Sequence, residues 1–263
     1  DLHGREHSSL HDALPISFEG LLTLVFDCYQ KKVFPDKITG TGNSQFVLFQ
    51  PDYEVLTDDA KGKRVWDGLH KKISDSSCQM VYYSFLSEAK DVELVILNFI
   101  RKAFDSPVSI ELNFGDKDVL ELLKLDRTVM REAERIRMFV RFQKTKDDIY
   151  YASFDPRYNV LPLVIKHFEN RFADQQWIIY DTKRNYGFYY DLKSTSEFKF
   201  VESLIDPATG QIDKSVMDKD EQLFQDMWKS YFKSMCIKER INPRLHMQLL
   251  PKRFWKYLIE KQA

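Results

Sequence analysis

Residues 149–190 run IYYASFDPRYNVLPLVIKHFENRFADQQWIIYDTKRNYGFYY, and their hydrophobic period changes from two to about 3.6 and back to two. Residues 149–154 are rich in aromatic and β-branched side chains, which predicts a strand. Pro156 and Asn159 then lead into a segment that places Val164, Ile165, Phe168 and Phe172 on one side of a helix. Residues 177–180 and 186–190 return to alternation. With residues 182–185 as a four-residue loop, Asp181 faces Tyr186 and Tyr180 faces Gly187. Trp177 and Ile179 then share a core face with Phe188 and Tyr190, while Ile178 and Tyr180 share the other with Tyr189. Upstream, residues 138–142 alternate and residues 144–148 are polar, so a first hairpin precedes the helix. The middle of the chain is therefore expected to be an antiparallel β-β-α-β-β layer of the α+β class.

The flanks read as helical. Leu21, Leu22, Val25, Phe26 and Tyr29 fall at helical spacing over residues 18–32, and Thr57-Asp58 can cap a second helix through Val65, Trp66 and Leu69. Further helical patterns cover residues 80–86 and 92–104. A longer helix follows Gly115, with Val119, Leu122, Val129, Ala133 and Ile136 on its apolar side. Beyond an acidic turn at residues 206–210, Phe224, Met227, Trp228, Tyr231, Phe232 and Met235 line one side of another helix. The expected organisation is a non-native segment at 1–16, a core domain at 17–197 with a mainly helical start, and a C-terminal helical subdomain at 198–263. Residues 1–16 carry His3, His7 and His11 at a spacing that fits no single helix face, so they read as a scar rather than a metal-binding tail.

Composition narrows the function classes. Of the 263 residues, 43% are hydrophobic and 30% charged, which excludes low-complexity disorder. The most apolar run, residues 92–100, is broken by Glu93 and Asn98, so no membrane span is expected. Cys28, Cys78 and Cys236 are too few and scattered for a disulfide framework or a metal cluster, which points to the reducing cytoplasm. The net charge of −1 gives no global attraction to nucleic acid, so any such binding rests on local clusters of Lys and Arg.

Two clusters qualify. Arg127, Arg131 and Arg135 recur every fourth residue along the long helix, and Arg137 and Arg141 extend the ridge along one side of the strand expected after it. Such a ridge can hold backbone phosphates, unless Glu132 and Glu134 neutralise it from within. The second cluster lies at residues 238–261, where Arg253 and Lys256 interleave with Phe254, Trp255 and Tyr257, either as a base-stacking surface or as a docked terminal helix with core aromatics. His167, with Asp174 and Asp181 near strand ends, outlines a weaker acid-base site, although the hairpin register puts Asp181 at the opposite end from Asp174 and Asp191. The chain carries no GxxxxGK, GxGxxG or GxSxG motif and no clustered CxxxCxxC, so no cofactor or metal is expected on it.

Several stretches carry a family resemblance: SFEGLLTLVFDCY, KLDRTVMREAERIRMFVRFQ, the long segment from YYASFDPRYN to YGFYYD, and a closing W..YF..I..R.N pattern followed by LLPKRFWKYL. From Ser17 to about Leu258 the chain resembles a bacterial family built on a domain of unknown function, the 4130 type, whose members are known as DNA-metabolism or DNA-repair proteins. The resemblance implies a radical-SAM DNA repair protein as partner and an association with uracil-DNA-glycosylase-like modules. The iron–sulfur chemistry would then belong to the partner. Similar chains begin with a short strand ending in Asp-Gly ahead of Ser-Phe-Glu-Gly, where Pro15-Ile16 stands here, which implies a missing native start.

The leading expectation is an accessory DNA-handling protein that meets nucleic acid through the arginine ridge. The alternatives are an enzyme acting on a modified base or nucleotide through His167 and nearby carboxylates, and an interaction subunit without nucleic-acid contact. A contiguous positive face favours the first, a polar pocket the second and an exposed apolar patch the third.

Overall fold

The computed structural model describes residues 17–38, 55–199 and 215–261; segment 1–16 and the turn read at 206–210 lie outside them. The chain divides into two compact units, Asp1–Arg127 and Thr128–Ala263. The division falls within a helix.

The first unit holds α1 (Phe18–Lys31), α2 (Asp59–His70), α3 (Asp75–Phe85), α4 (Val92–Asp105) and the start of α5 (Lys117–Phe139). Its helix starts are written in the sequence. The Ser17 hydroxyl accepts from the Gly20 N–H at 2.9 Å, and the Asp58 carboxylate from the N–H groups of Ala60 and Lys61 at 3.0 and 3.1 Å. Thr23 joins the two helices by donating to the Glu19 carbonyl at 2.7 Å and accepting from the Asp58 N–H at 3.1 Å. Leu21, Val25, Leu69, Ile96, Phe99 and Leu122 are buried together. Each stabilises the fold by about 1.5–3 kcal/mol through removal of apolar surface from water.

The second unit holds the rest of α5, then β1 (Gln143–Lys144), β2 (Tyr150–Phe154), α6 (Leu161–Arg171), β3 (Trp177–Asp181), β4 (Tyr186–Tyr190), β5 (Thr195–Phe198), α7 (Glu221–Ser234) and α8 (Pro243–Leu249). Among the described residues it also holds three 3-10 turns, at Lys238–Arg240, Lys252–Tyr257 and Ile259–Lys261. The five strands form one sheet in chain order. The α+β class and the helical flanks are as the sequence predicts.

Three details of the layer differ, one of them the fifth strand, β5, which the expected β-β-α-β-β order lacks. Strands β2 and β3 pair in parallel, Tyr150 with Trp177 through Phe154 with Asp181, while the other three pairs are antiparallel. The reason is the connection: α6 carries the chain back along the sheet, so the next strand starts from the same end. The first hairpin is also smaller than expected. Helix α5 continues to Phe139, the Val140 N–H still donates to the Ile136 carbonyl at 3.0 Å, and only Gln143 and Lys144 pair with Tyr151 and Tyr150. The helical hydrogen bonding set up by Val129, Ala133 and Ile136 outlasts the short alternation of residues 138–142.

The β3–β4 register is the one read from the loop, with Asp181 opposite Tyr186 and Tyr180 opposite Gly187. Trp177 and Ile179 are fully buried on the face covered by α6, where the Phe168 ring lies 6.3 Å from Trp177 and that of Tyr190 stacks at 5.2 Å. The opposite face is covered too. Tyr151 and Tyr180 are buried there against Ile178, Phe198 and Val216.

Candidate nucleic-acid interface

The site grows from one buried carboxylate. Glu132 falls between Val129 and Ile136 on the apolar side of α5, and only 2% of it is exposed. A carboxylate removed from water needs ionic or hydrogen-bond partners. The Arg157 N–H donates to its Oε1 at 3.0 Å, and both terminal nitrogens of Arg253 donate to its two oxygens. Arg135 Nη1 stands 3.8 Å from Oε2. Burial weakens the hold of Arg135 on its proton, Glu132 opposes this, and repulsion from Arg253, Arg131 and Arg157 adds to it. Arg131, Arg157 and Arg253 thus each lie within electrostatic reach of Arg135, four guanidinium groups to the one carboxylate of Glu132, a formal excess of three positive charges.

Arg131 and Arg157 carry that excess to the surface. Both are exposed, and neither guanidinium has an ion pair or hydrogen bond among the described residues. Arg157 sits in the segment that follows β2, beside the end of the parallel strand β3. That segment is fixed by Arg184, whose Nη1 donates to the Pro156 carbonyl at 3.3 Å and Nη2 to that of Arg157 at 3.2 Å. The Lys183 ammonium donates to the same Arg157 carbonyl at 2.9 Å, and the Tyr186 hydroxyl donates to Asn159. Asp181 anchors the arrangement: its Oδ1 accepts from the N–H groups of Lys183 and Arg184 at 2.9 and 3.1 Å, and its Oδ2 from Arg184 Nη1 at 2.8 Å. Carboxyl ends of parallel strands are where sheets with crossover helices commonly place ligand-binding loops.

The whole-chain charge conceals a division. Asp1–Arg127 contains 15 Lys and Arg against 21 Asp and Glu, whereas Thr128–Ala263 contains 24 against 19, which adds up to the −1 of the chain. The basic excess belongs to the unit with the arginine cluster.

The other sequence candidates fall elsewhere. Arg127 is exposed and is the last residue of the first unit. Arg137 lies in the last turn of α5, not on a strand; it pairs with Glu134 and donates to the Leu163 carbonyl at 2.8 Å. Glu134 therefore neutralises Arg137, and Glu132 is the acid among the ridge arginines. Arg141 pairs with Glu260 at 2.7 Å, and Lys256 with Asp155 at 2.9 Å. Of the C-terminal aromatics, Phe254 is buried, with the Arg253 guanidinium 4.3 Å above its ring, while Trp255 and Tyr257 are half-buried. The structure does not bring His167, Asp174 and Asp181 together. His167 and Asp174 are exposed, the latter ahead of β3, whereas Asp181 is buried at the far end of that strand. Among the described residues no group of three or more His, Cys, Asp or Glu is placed to hold a metal ion.

Arg157 is the member that local reading misses. It is isolated among aromatic and polar neighbours, and only the fold brings it to Glu132 and Arg253, 25 and 96 positions away. The asparagine and proline around it mark a loop, which is the one signal the sequence offers.

No helix among the described residues is long and apolar enough to cross a membrane. Comparison with curated proteins and with solved structures found no match. A family model matches residues 90–260, which covers all of the sheet, the arginine cluster and the terminal helices, and by that match the chain belongs to the family described as a domain of unknown function, DUF4130.

Proposed function

We propose that the second unit binds the phosphate backbone of nucleic acid through the cluster of Arg131, Arg135, Arg157 and Arg253, as an accessory protein in DNA repair or DNA metabolism. The observation that carries this reading is the excess of three positive charges held around Glu132. Glu132 fixes Arg253 by a two-point hydrogen-bonded pair, so part of the ordering cost of a phosphate site is met before any ligand arrives. Arg131 and Arg157 remain hydrated and lose little on exchanging water for a phosphate oxygen. The wider role, service to a radical-SAM repair enzyme and association with a uracil-DNA-glycosylase-like module, rests on the family resemblance of residues 150–191.

A titration of single- and double-stranded DNA across salt concentrations tests the reading, run with and without the radical-SAM protein. The logarithm of affinity should fall linearly with that of salt, by about 0.9 per phosphate contact on duplex or about 0.7 on single strands. Arg131→Gln and Arg157→Gln should each lower the slope by about one contact and weaken all sequences alike. Wild-type affinity in the double variant would remove the arginine cluster from nucleic-acid binding.

A further inference from the structure

Helix α7 carries more apolar surface than its own unit covers. The side that meets its own unit is the strip of Glu221, Gln225, Trp228 and Phe232: Glu221 accepts from the Lys144 N–H at 3.0 Å, Trp228 Nε1 donates to Glu260 at 2.9 Å, and Lys261 stands 5.1 Å from the Phe232 ring, although Trp228 and Phe232 remain 39 and 36% exposed. The neighbouring strip, Phe224, Met227, Tyr231 and Met235, is 59, 58, 54 and 63% exposed. These residues recur at spacings of three, four and four, so they form one continuous stripe along the helix. Exposed Ile237 and Ile241 extend it past the helix end. Singly scattered apolar side chains need no explanation, but a contiguous stripe marks an interaction surface.

The distribution of charge points to what covers it. At the angular step of about 100° per residue, the positions bordering the stripe are Leu223 and Ser234 on one side and Trp228, Glu221 and Phe232 on the other; the one charge among them, Glu221, is buried and accepts from the Lys144 N–H. Charge is instead segregated by end. Residues 218–226 expose Asp220 and Asp226 against Lys219, while Asp218 and Glu221 are turned to Lys144, whereas residues 233–244 expose Lys233, Arg240 and Arg244 against Glu239. A surface with an apolar middle, one acidic end and one basic end is complementary to itself when turned by a half-rotation.

We infer that this face pairs with a second copy of the chain, α7 against α7 in antiparallel orientation. The stripes cover each other, and the acidic start of each helix meets the basic segment beyond the end of the other. A crossing centred on the middle of the stripe sets exposed Asp220 near the partner copy's 3-10 turn Lys238–Arg240, whose Arg240 is exposed. Parallel pairing would oppose like charges at both ends.

Sedimentation equilibrium of the full chain tests the pairing. The expected result is a reversible species of twice 31.3 kDa with a dissociation constant in the micromolar range. Met227→Ser combined with Tyr231→Ser should give a monomer whose melting temperature equals that of the wild type when both are measured below the dissociation constant, because both side chains are exposed. Asp220→Arg and Arg240→Asp should each weaken the dimer by about tenfold or more, and the two together should restore it. A chain that stays monomeric at about 100 μM, well above a micromolar dissociation constant, overturns the inference, as does a dimer that survives Met227→Ser with Tyr231→Ser. Failure of the charge swap to restore association overturns the antiparallel arrangement.

Discussion

Glu132 and Arg253 lie 121 residues apart in the chain and meet in a two-point carboxylate–guanidinium pair, with the carboxylate buried. Breaking such a pair from one side leaves the other charge without compensation, at a cost of about 3–5 kcal/mol. Glu132→Gln should accordingly lose stability on that scale in urea denaturation. It also removes the single negative charge from the cluster, so DNA binding, measured below the melting temperature, should tighten and its salt slope steepen. A variant that is destabilised but binds with an unchanged slope would assign the pair a structural role alone.

Trp177 is fully buried between α6 and the sheet, so Trp177→Ala should cost about 3–5 kcal/mol by opening a cavity. Its indole Nε1 has no hydrogen-bond partner among the described residues. Trp177→Phe removes that unpaired donor along with some volume, and should cost clearly less than the alanine variant by the same denaturation measurement.

Gly187 is opposite Tyr180 on the central hairpin, where an added Cβ would stand 2.6 Å from the Ile179 carbonyl oxygen and 2.7 Å from the Tyr180 ring. The nearer atom is backbone and cannot swing aside. Gly187→Ala should therefore separate β3 from β4 locally and cost about 1–3 kcal/mol, with faster amide exchange in both strands as the readout.

Glu111 gives the first unit a pH dependence. Burial raises its carboxyl pKa, but the hydroxyls of Ser74, Ser77 and Ser109 and the Ser74 N–H overcome this and lower it from 4.5 to about 2. A depressed carboxylate contributes stability that is complete above its unfolded pKa and is lost as pH falls through the folded one. Melting temperatures should thus drop between about pH 4.5 and pH 2, and Glu111→Gln should flatten that part of the acid limb while lowering stability at pH 7.

Much of the fold is legible because it is local. Ser17 and Asp58 announce helix starts, the apolar spacing of Val119 to Ile136 announces α5, and the loop at residues 182–185 sets the β3–β4 register. What escaped depends on partners distant in sequence. The parallel pairing of β2 with β3 is a different case: the strand–helix–strand order within residues 149–181 already implies it, because a helical crossover returns the chain to the same end of the sheet. The arginine ridge is half legible. The spacing of Arg131 and Arg135 marks the helix face, but periodicity cannot say that Glu132 takes Arg253, that Glu134 takes Arg137, or that Arg157 joins the cluster. Likewise an apolar stripe on α7 reads as core, and only its exposure at Phe224, Met227, Tyr231 and Met235 distinguishes it from one.

Every neighbouring pair of strands in the sheet is also adjacent in sequence, from β1 through β5. Such an order keeps the contacts between strands short in chain separation, so the sheet can be laid down one strand at a time, without any strand being inserted between two already paired. The longest closure between neighbouring strands is the α6 crossover, which must fold back before β2 and β3 can meet. Refolding monitored at Trp177, on the far side of that crossover, should report the nucleus, while β5, added last at the edge, should form on a local timescale and open first when the native protein fluctuates.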